Sequence, residues 1–130
     1  MLGTSERSQM ILIDYRDARP IYEQVVERFR ILILRGVIKP DEKMPSVRNL
    51  AVDLSINPNT IQRAYAELER QGYIYTVKGK GNFVSESGQL LQKYKEEIFV
   101  QLAEIYKTAI GIGITEDELV ARIKEGGAYD

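Results

Sequence analysis

At 130 residues, with 44% hydrophobic side chains, the chain is long enough for one packed domain and a small accessory piece, and its composition argues against disorder over most of its length. It has no cysteine and no histidine, which excludes a disulfide framework, thiol chemistry, the usual zinc ligands, Cys/His nucleophile pairs and the commonest general base, and points to a cytosolic (cytoplasmic) protein. The net charge of −1 is unevenly spread: residues 1–34 sum to zero, residues 35–84 carry eight basic against five acidic side chains, and residues 85–130 carry five against nine, which confines the positive field to the middle of the chain.

The opening MLGTSERSQ, residues 1–9, is polar, has no secretory hydrophobic region and reads as a flexible terminus. No later run approaches the length that spans a bilayer. Met10-Ile11-Leu12-Ile13 fits a short strand or a packed arm, and a charged connection follows. A first helix is predicted from Pro20 to Arg35, with Ile21, Val25, Phe29 and Leu32 as its buried stripe and Gly36 as its stop. Tyr22 and Gln24 at its start read as packing and capping residues. Val37 to Lys43 is expected to be a turn-rich loop.

Ser46 is placed as the N-cap of a short helix over Val47 to Leu54, because its hydroxyl can accept from a backbone N–H that has no intrahelical partner. Asn49 sits where a glutamate would complete a capping box, so that reciprocal bond is not expected. Ser55-Ile56 turns the chain. Asn57-Pro58 restarts it with a cap residue and a proline at the first helical position, where the fixed φ fits and the missing N–H costs nothing. In this next helix Ile61, Ala64, Tyr65 and Leu68 form one buried stripe at helical period, leaving Pro58, Asn59, Gln62, Arg63 and Ala66 outward. Amides pair with adenine, arginine with guanine, and small apolar groups touch a thymine methyl, so this outward set suits a DNA major groove. An ordinary solvated helix face is the alternative. Two helices joined by a short turn favour the groove, since that is how a helix-turn-helix presents its second helix to DNA.

Gly72 ends that helix in the position that favours left-handed φ. Tyr73 to Val77 and Asn82 to Val84 are β-branched and aromatic runs separated by Lys78-Gly79-Lys80-Gly81, which predicts a hairpin with a basic tip. Glycines let backbone approach a phosphate or enter a minor groove, and the lysines add point charges there. A nucleotide-binding loop is the rival reading. It lacks a βαβ setting and both glycine-rich phosphate motifs.

Beyond a linker at 85–88, Leu91, Tyr94, Ile98, Leu102, Ile105 and Ala109 step by three or four, predicting a long amphipathic helix from Gln89 to about Ile110 that Gly111 and Gly113 break. Thr115 with Glu118 has capping-box spacing, and Leu119, Val120 and Ile123 are the expected inward face of a last helix ending at Gly126-Gly127. Two helices of this size enclose little core, so their stripes need a partner. Packing on the preceding domain is one solution. A symmetric homodimer is preferred, with Leu91, Tyr94, Ile98, Leu102, Ile105 and Tyr106 at its interface, because a two-fold sets two reading helices about one turn of DNA, or a multiple, apart.

The stretch MPSVRNLAVDLSINPNTIQRAYAELERQGYIYTVKGKGNFV resembles the winged helix-turn-helix of GntR-family bacterial transcription regulators. Its PSVR, NPNT, AYAELE and GKGNFV segments, in that order, are similar to the small YtrA-like subfamily, and the likeness extends upstream through RPIYEQVVERFRILILRG and loosely through the C-terminal helices. It implies a mainly α fold with a small β-wing: a DNA-binding domain over 10–85 and a two-helix dimerisation segment over 86–130. It further implies a DNA-contacting set of Ser46, Arg48, Asn57, Pro58, Asn59, Thr60, Gln62 and Arg63, with Lys78, Gly79, Lys80 and Gly81 in the wing. For Arg48 the competing reading is a surface arginine paired with a carboxylate. Asn49 departs from the acidic residue that the family has after this arginine.

The function expected is a dimeric, sequence-specific repressor of a palindromic operator, in keeping with the subfamily an operator near a transporter operon, with double-stranded DNA as partner. A winged-helix module for protein contact, without sequence-specific DNA binding, is the alternative. An enzyme is not expected, nor a cofactor, a metal or a membrane contact. Only about 45 residues follow the hairpin, which leaves little room for the metabolite-binding domain of larger relatives, so a small-molecule effector is not identified.

Overall fold

The structure, a computed structural model, describes residues 10–126; the expected flexible terminus at 1–9 and the last four residues, including Gly127, lie outside the described residues. The elements in chain order are α1 (Ile21–Leu34), α2 (Val47–Leu54), α3 (Pro58–Arg70), β1 (Ile74–Val77), β2 (Gly81–Val84), α4 (Gly88–Gly111) and α5 (Glu116–Gly126). They fall into two compact units, one up to Leu91 and one from Gln92. The mainly helical fold with a two-stranded wing is the one expected from the sequence.

In the first unit α3 is the central element, because its stripe Ile61, Ala64, Tyr65 and Leu68 is fully buried against α1, α2 and the hairpin. Phe29 of α1 meets the Tyr65 ring edge-on at 5.8 Å between centroids, and the buried Tyr65 hydroxyl donates to the Pro45 carbonyl at 2.7 Å. That bond removes the penalty of an unsatisfied polar atom in the core, and burial pushes the phenol's pKa upward. The inner face of α1 lies slightly to one side of the expected stripe. Val25 and Phe29 are buried as expected, joined by Val26 and Ile33, whereas Ile21 and Leu32 are only half-buried. A wider apolar stripe than one residue per turn is what a globular helix requires, and Ile33 competes with Leu32 for it.

Local chemistry sets the helix ends as the sequence indicates. Ser46 Oγ accepts from the Asn49 N–H at 3.1 Å, and Asn57 Oδ1 accepts from the Asn59 N–H at 2.8 Å with Pro58 at the first helical position. Between α2 and α3 Ser55 adopts φ +55°, a left-handed residue that turns the chain within two positions. The N-terminal arm is packed, not a strand. Ile11 is buried, and the Gln24 side chain clasps the arm by accepting from the Asp14 N–H at 2.9 Å and donating to the Asp14 carbonyl at 3.0 Å.

The hairpin pairs β1 and β2 antiparallel, from Ile74 opposite Val84 to Val77 opposite Gly81. The segment expected as a plain loop ends differently: residues 41–44 run beside β2. The Asp41 N–H donates to the Val84 carbonyl at 2.7 Å, the Val84 N–H to the Glu42 carbonyl at 2.9 Å and the Met44 N–H to the Asn82 carbonyl at 2.8 Å. This gives β2 a neighbour on both edges and satisfies backbone groups that an isolated two-stranded ribbon would leave to water.

In the second unit Thr115 and Glu118 form the expected capping box, with the Glu118 N–H donating to Thr115 Oγ1 at 3.2 Å and the Thr115 N–H to Glu118 Oε1 at 3.4 Å. Of the expected inward face of α5, Leu119 is half-buried, while Val120 and Ile123 are exposed. Among the described residues of this unit Ala109 alone is buried and apolar. Its helices therefore carry much apolar surface that they do not cover themselves.

Candidate nucleic-acid interface

The buried stripe of α3 fixes which of its residues reach water. Pro58, Asn59, Gln62, Arg63 and Ala66 are all exposed along the first two and a half turns, and Thr60 is half-buried. Asn57 and Ser46 are exposed too, but each already uses a side-chain oxygen to cap its helix, which leaves the Ser46 hydroxyl hydrogen and the Asn57 amide hydrogens for another partner. Arg48 is exposed in the first turn of α2 and makes no ion pair with a described residue. Arg63 has its guanidinium carbon 3.9 Å from the centre of the Tyr22 ring.

The wing presents Lys78, Gly79 and Lys80 to solvent with Gly81 half-buried. The Lys80 N–H donates to the Val77 carbonyl at 2.9 Å and closes the turn, and Gly79 and Gly81 hold φ of +79° and +121°. A side chain at either position would be strained by the backbone conformation, and glycine keeps the tip thin enough to approach nucleic acid closely. The wing is braced on three sides. Tyr75 and Phe83 stack at 5.8 Å, the Tyr75 hydroxyl donates to Asp41 Oδ1 at 2.8 Å, and the Thr76 hydroxyl donates to the Glu69 carboxylate on α3. Sequence reasoning missed one cation here. The end of the Lys43 side chain lies across Gly81, its Cε 3.1 Å from where a Cβ on that glycine would stand. No local signal could have found it, since the contact depends on residues 41–44 pairing with β2.

The acidic groups of α3 lie toward its C-terminal half. Glu67 is held by Arg70, whose Nε donates at 2.8 Å, and by the Gln71 amide at 2.7 Å; these bonds bring its carboxyl pKa down to about 2. Arg70 is thereby engaged within the helix, whereas Arg48, Lys78 and Lys80 make no ion pair with a described residue. Among the described residues no group of three or more acidic side chains could hold a metal ion, and no helix is long and apolar enough to cross a membrane.

The residues expected at a dimer interface lie along α4. Leu91 and Tyr94 are half-buried, and Ile98, Leu102, Ile105 and Tyr106 are exposed, as are their neighbours Phe99, Val100 and Ile110. In the same unit Ile114, Leu119 and Arg122 line an open groove of about 600 Å³ with Glu118 and Glu125.

A family model described as bacterial regulatory proteins, gntR family, matches residues 21–84. The chain is 42% identical over 118 residues to the HTH-type transcriptional repressor YtrA of Bacillus subtilis, covering 89% of this chain and 91% of that protein. Among solved structures it is similar to a transcriptional antiterminator from Listeria monocytogenes, with a TM-score of 0.73 and 35% identity over 91% of this chain and 90% of the other. The DNA-binding domain of AraR in complex with operator ORE1 aligns with a TM-score of 0.51 and 34% identity, covering 57% of this chain and 90% of that one.

Proposed function

The chain belongs to the GntR family of bacterial regulatory proteins, and from that membership we propose that it acts as a dimeric repressor which reads a palindromic operator. The observation that carries the reading is the exposed N-terminal half of α3, where Asn59, Gln62 and Arg63 stand outward from a helix whose opposite face is fully buried. A rigid helix with base-pairing side chains on its free face suits direct readout in a major groove. Arg48, Ser46, Asn57, Pro58 and Thr60 position that helix or add to its contacts. Lys78 and Lys80, with the thin Gly79 and Gly81 backbone between and beside them, meet phosphate or enter the adjacent minor groove. The net +3 of residues 35–84 is small for a DNA binder, so two copies on one site are needed for tight binding at physiological salt. The exposed apolar residues of α4 support the second copy, with Leu91, Tyr94, Ile98, Leu102, Ile105 and Tyr106 at the contact.

Selection of bound fragments from a random DNA library with purified protein tests this. The expected result is a motif with two-fold symmetry, and its half-site spacing gives the separation of the two α3 helices. Matching the motif to genomic sequence then tests the expectation of a transporter operon. Folded protein that enriches no sequence would overturn the reading in favour of a protein-contact module.

A further inference from the structure

We propose that Tyr22, in the first turn of α1, is a positioning residue for DNA readout: its ring holds the Arg63 guanidinium in the pose from which that side chain meets a base. The inference rests on the operator-reading function proposed above. Its basis is a contact between two elements far apart in sequence. The Arg63 guanidinium carbon lies 3.9 Å from the Tyr22 ring centre, much closer than the 5.7 Å that separates Arg30 from the centre of the Tyr73 ring.

The two partners differ in how they are held. Tyr22 is half-buried and packs against the core that α1 shares with α3, so its ring is a fixed surface. Arg63 is exposed and makes no ion pair with a described residue. The nature of the support matters as much as its presence. A carboxylate would hold the arginine through its N–H groups and so consume the donors that read guanine. An aromatic face holds the flat guanidinium through its π surface and leaves the in-plane N–H groups directed outward. Those N–H groups are the ones that pair bidentately with guanine O6 and N7. An arginine already ordered on the ring also loses less side-chain freedom on binding than one free in solvent.

The test compares Tyr22→Phe, Tyr22→Leu, Arg63→Ala and the double variant Tyr22→Leu/Arg63→Ala on the selected operator and on all its single-base variants, with thermal melts of each protein. Tyr22→Leu keeps apolar bulk against the core and loses the π face. The expected result is that Tyr22→Leu and Arg63→Ala relax preference at the same base position, Tyr22→Leu by about two- to fivefold, the size of an exposed cation–π contact. Tyr22→Phe should retain the wild-type profile, and the double variant should be no worse than Arg63→Ala alone. The proposal is overturned by an unchanged base profile for Tyr22→Leu, by a loss in Tyr22→Phe equal to that in Tyr22→Leu, or by tighter binding when the ring is removed. A merely structural Tyr22 would lower the melting temperature and weaken binding at every position, adding to Arg63→Ala, and this too overturns it. Wild-type protein without any base preference would overturn the operator-reading function along with this inference, whereas a clear wild-type preference that Tyr22→Leu leaves intact would overturn this inference alone.

Discussion

Arg48 and Lys80 bring the same charge to the surface in different roles. Arg48 makes no ion pair with a described residue, so nothing in the free protein compensates when it is removed. Arg48→Ala and Gln62→Ala should each reduce the preference for operator over random DNA by about 1–3 kcal/mol, the worth of a good base contact. Equal losses on specific and random DNA in anisotropy titrations would reassign them to phosphate. Lys80→Ala, at the tip of the wing, should weaken binding to every sequence alike and lower the slope of log affinity against log salt by about one. Glu67 supplies a pH dependence of opposite interest, since it concerns the fold. Its carboxyl pKa falls to about 2 in the folded chain from 4.5, so the stability it contributes is fully present above the unfolded value and is lost as pH falls through the folded one. Because the carboxylate is only half-buried and its partner Arg70 is exposed, solvent screening limits the effect to a few tenths of a kcal/mol. Between pH 5 and about pH 2 the melting temperature of Glu67→Gln should therefore fall slightly less than that of the wild type, and parallel melting curves would show the Arg70 and Gln71 bonds to be without energetic weight.

The helix-turn-helix elements were legible because their start signals are local. Ser46, Asn57 and Pro58 act within three residues of where they stand, and the capping bonds follow directly. Asn57→Ala should cost about 1 kcal/mol by urea unfolding, since it leaves the Asn59 N–H at the front of α3 without its acceptor. The positively charged hairpin was legible for the same reason. What lay beyond the sequence were the contacts between elements. Residues 41–44 have no alternating pattern, yet they pair with β2 because Met44 must be buried beside the α3 core. Likewise nothing near Tyr22 or Arg63 announces that one will lie over the other. Gly81 joins both kinds of information. Gly81→Ala meets only the movable end of Lys43, so its cost should come from the φ of +121° and amount to about 1–2 kcal/mol in urea unfolding. A neutral result would mean that the wing relaxes its turn.

At the scale of the molecule the first unit has its own core and the second has little. Ile98, Phe99, Val100, Leu102, Ile105, Ile110 and Ile123 are exposed on its helices, the kind of apolar surface that marks an interaction site. The repeat of the stripe was readable from the sequence; which face the proposed second copy would meet was not, since exposed apolar residues occur on more than one side of α4. Leu102→Asp should convert the proposed dimer to monomers in sedimentation and reduce operator affinity at low protein concentration, while an unchanged mass would move the proposed contact to another face. A regulator that pairs in the proposed way also counts its own molecules. While most copies are single, the number of pairs rises with the square of their concentration, so halving the cell's supply leaves about a quarter as many pairs for the operator. Silencing of the target then has a threshold set by the strength of one apolar seam, and weakening that seam by a few side chains would shift the threshold without altering a single base contact.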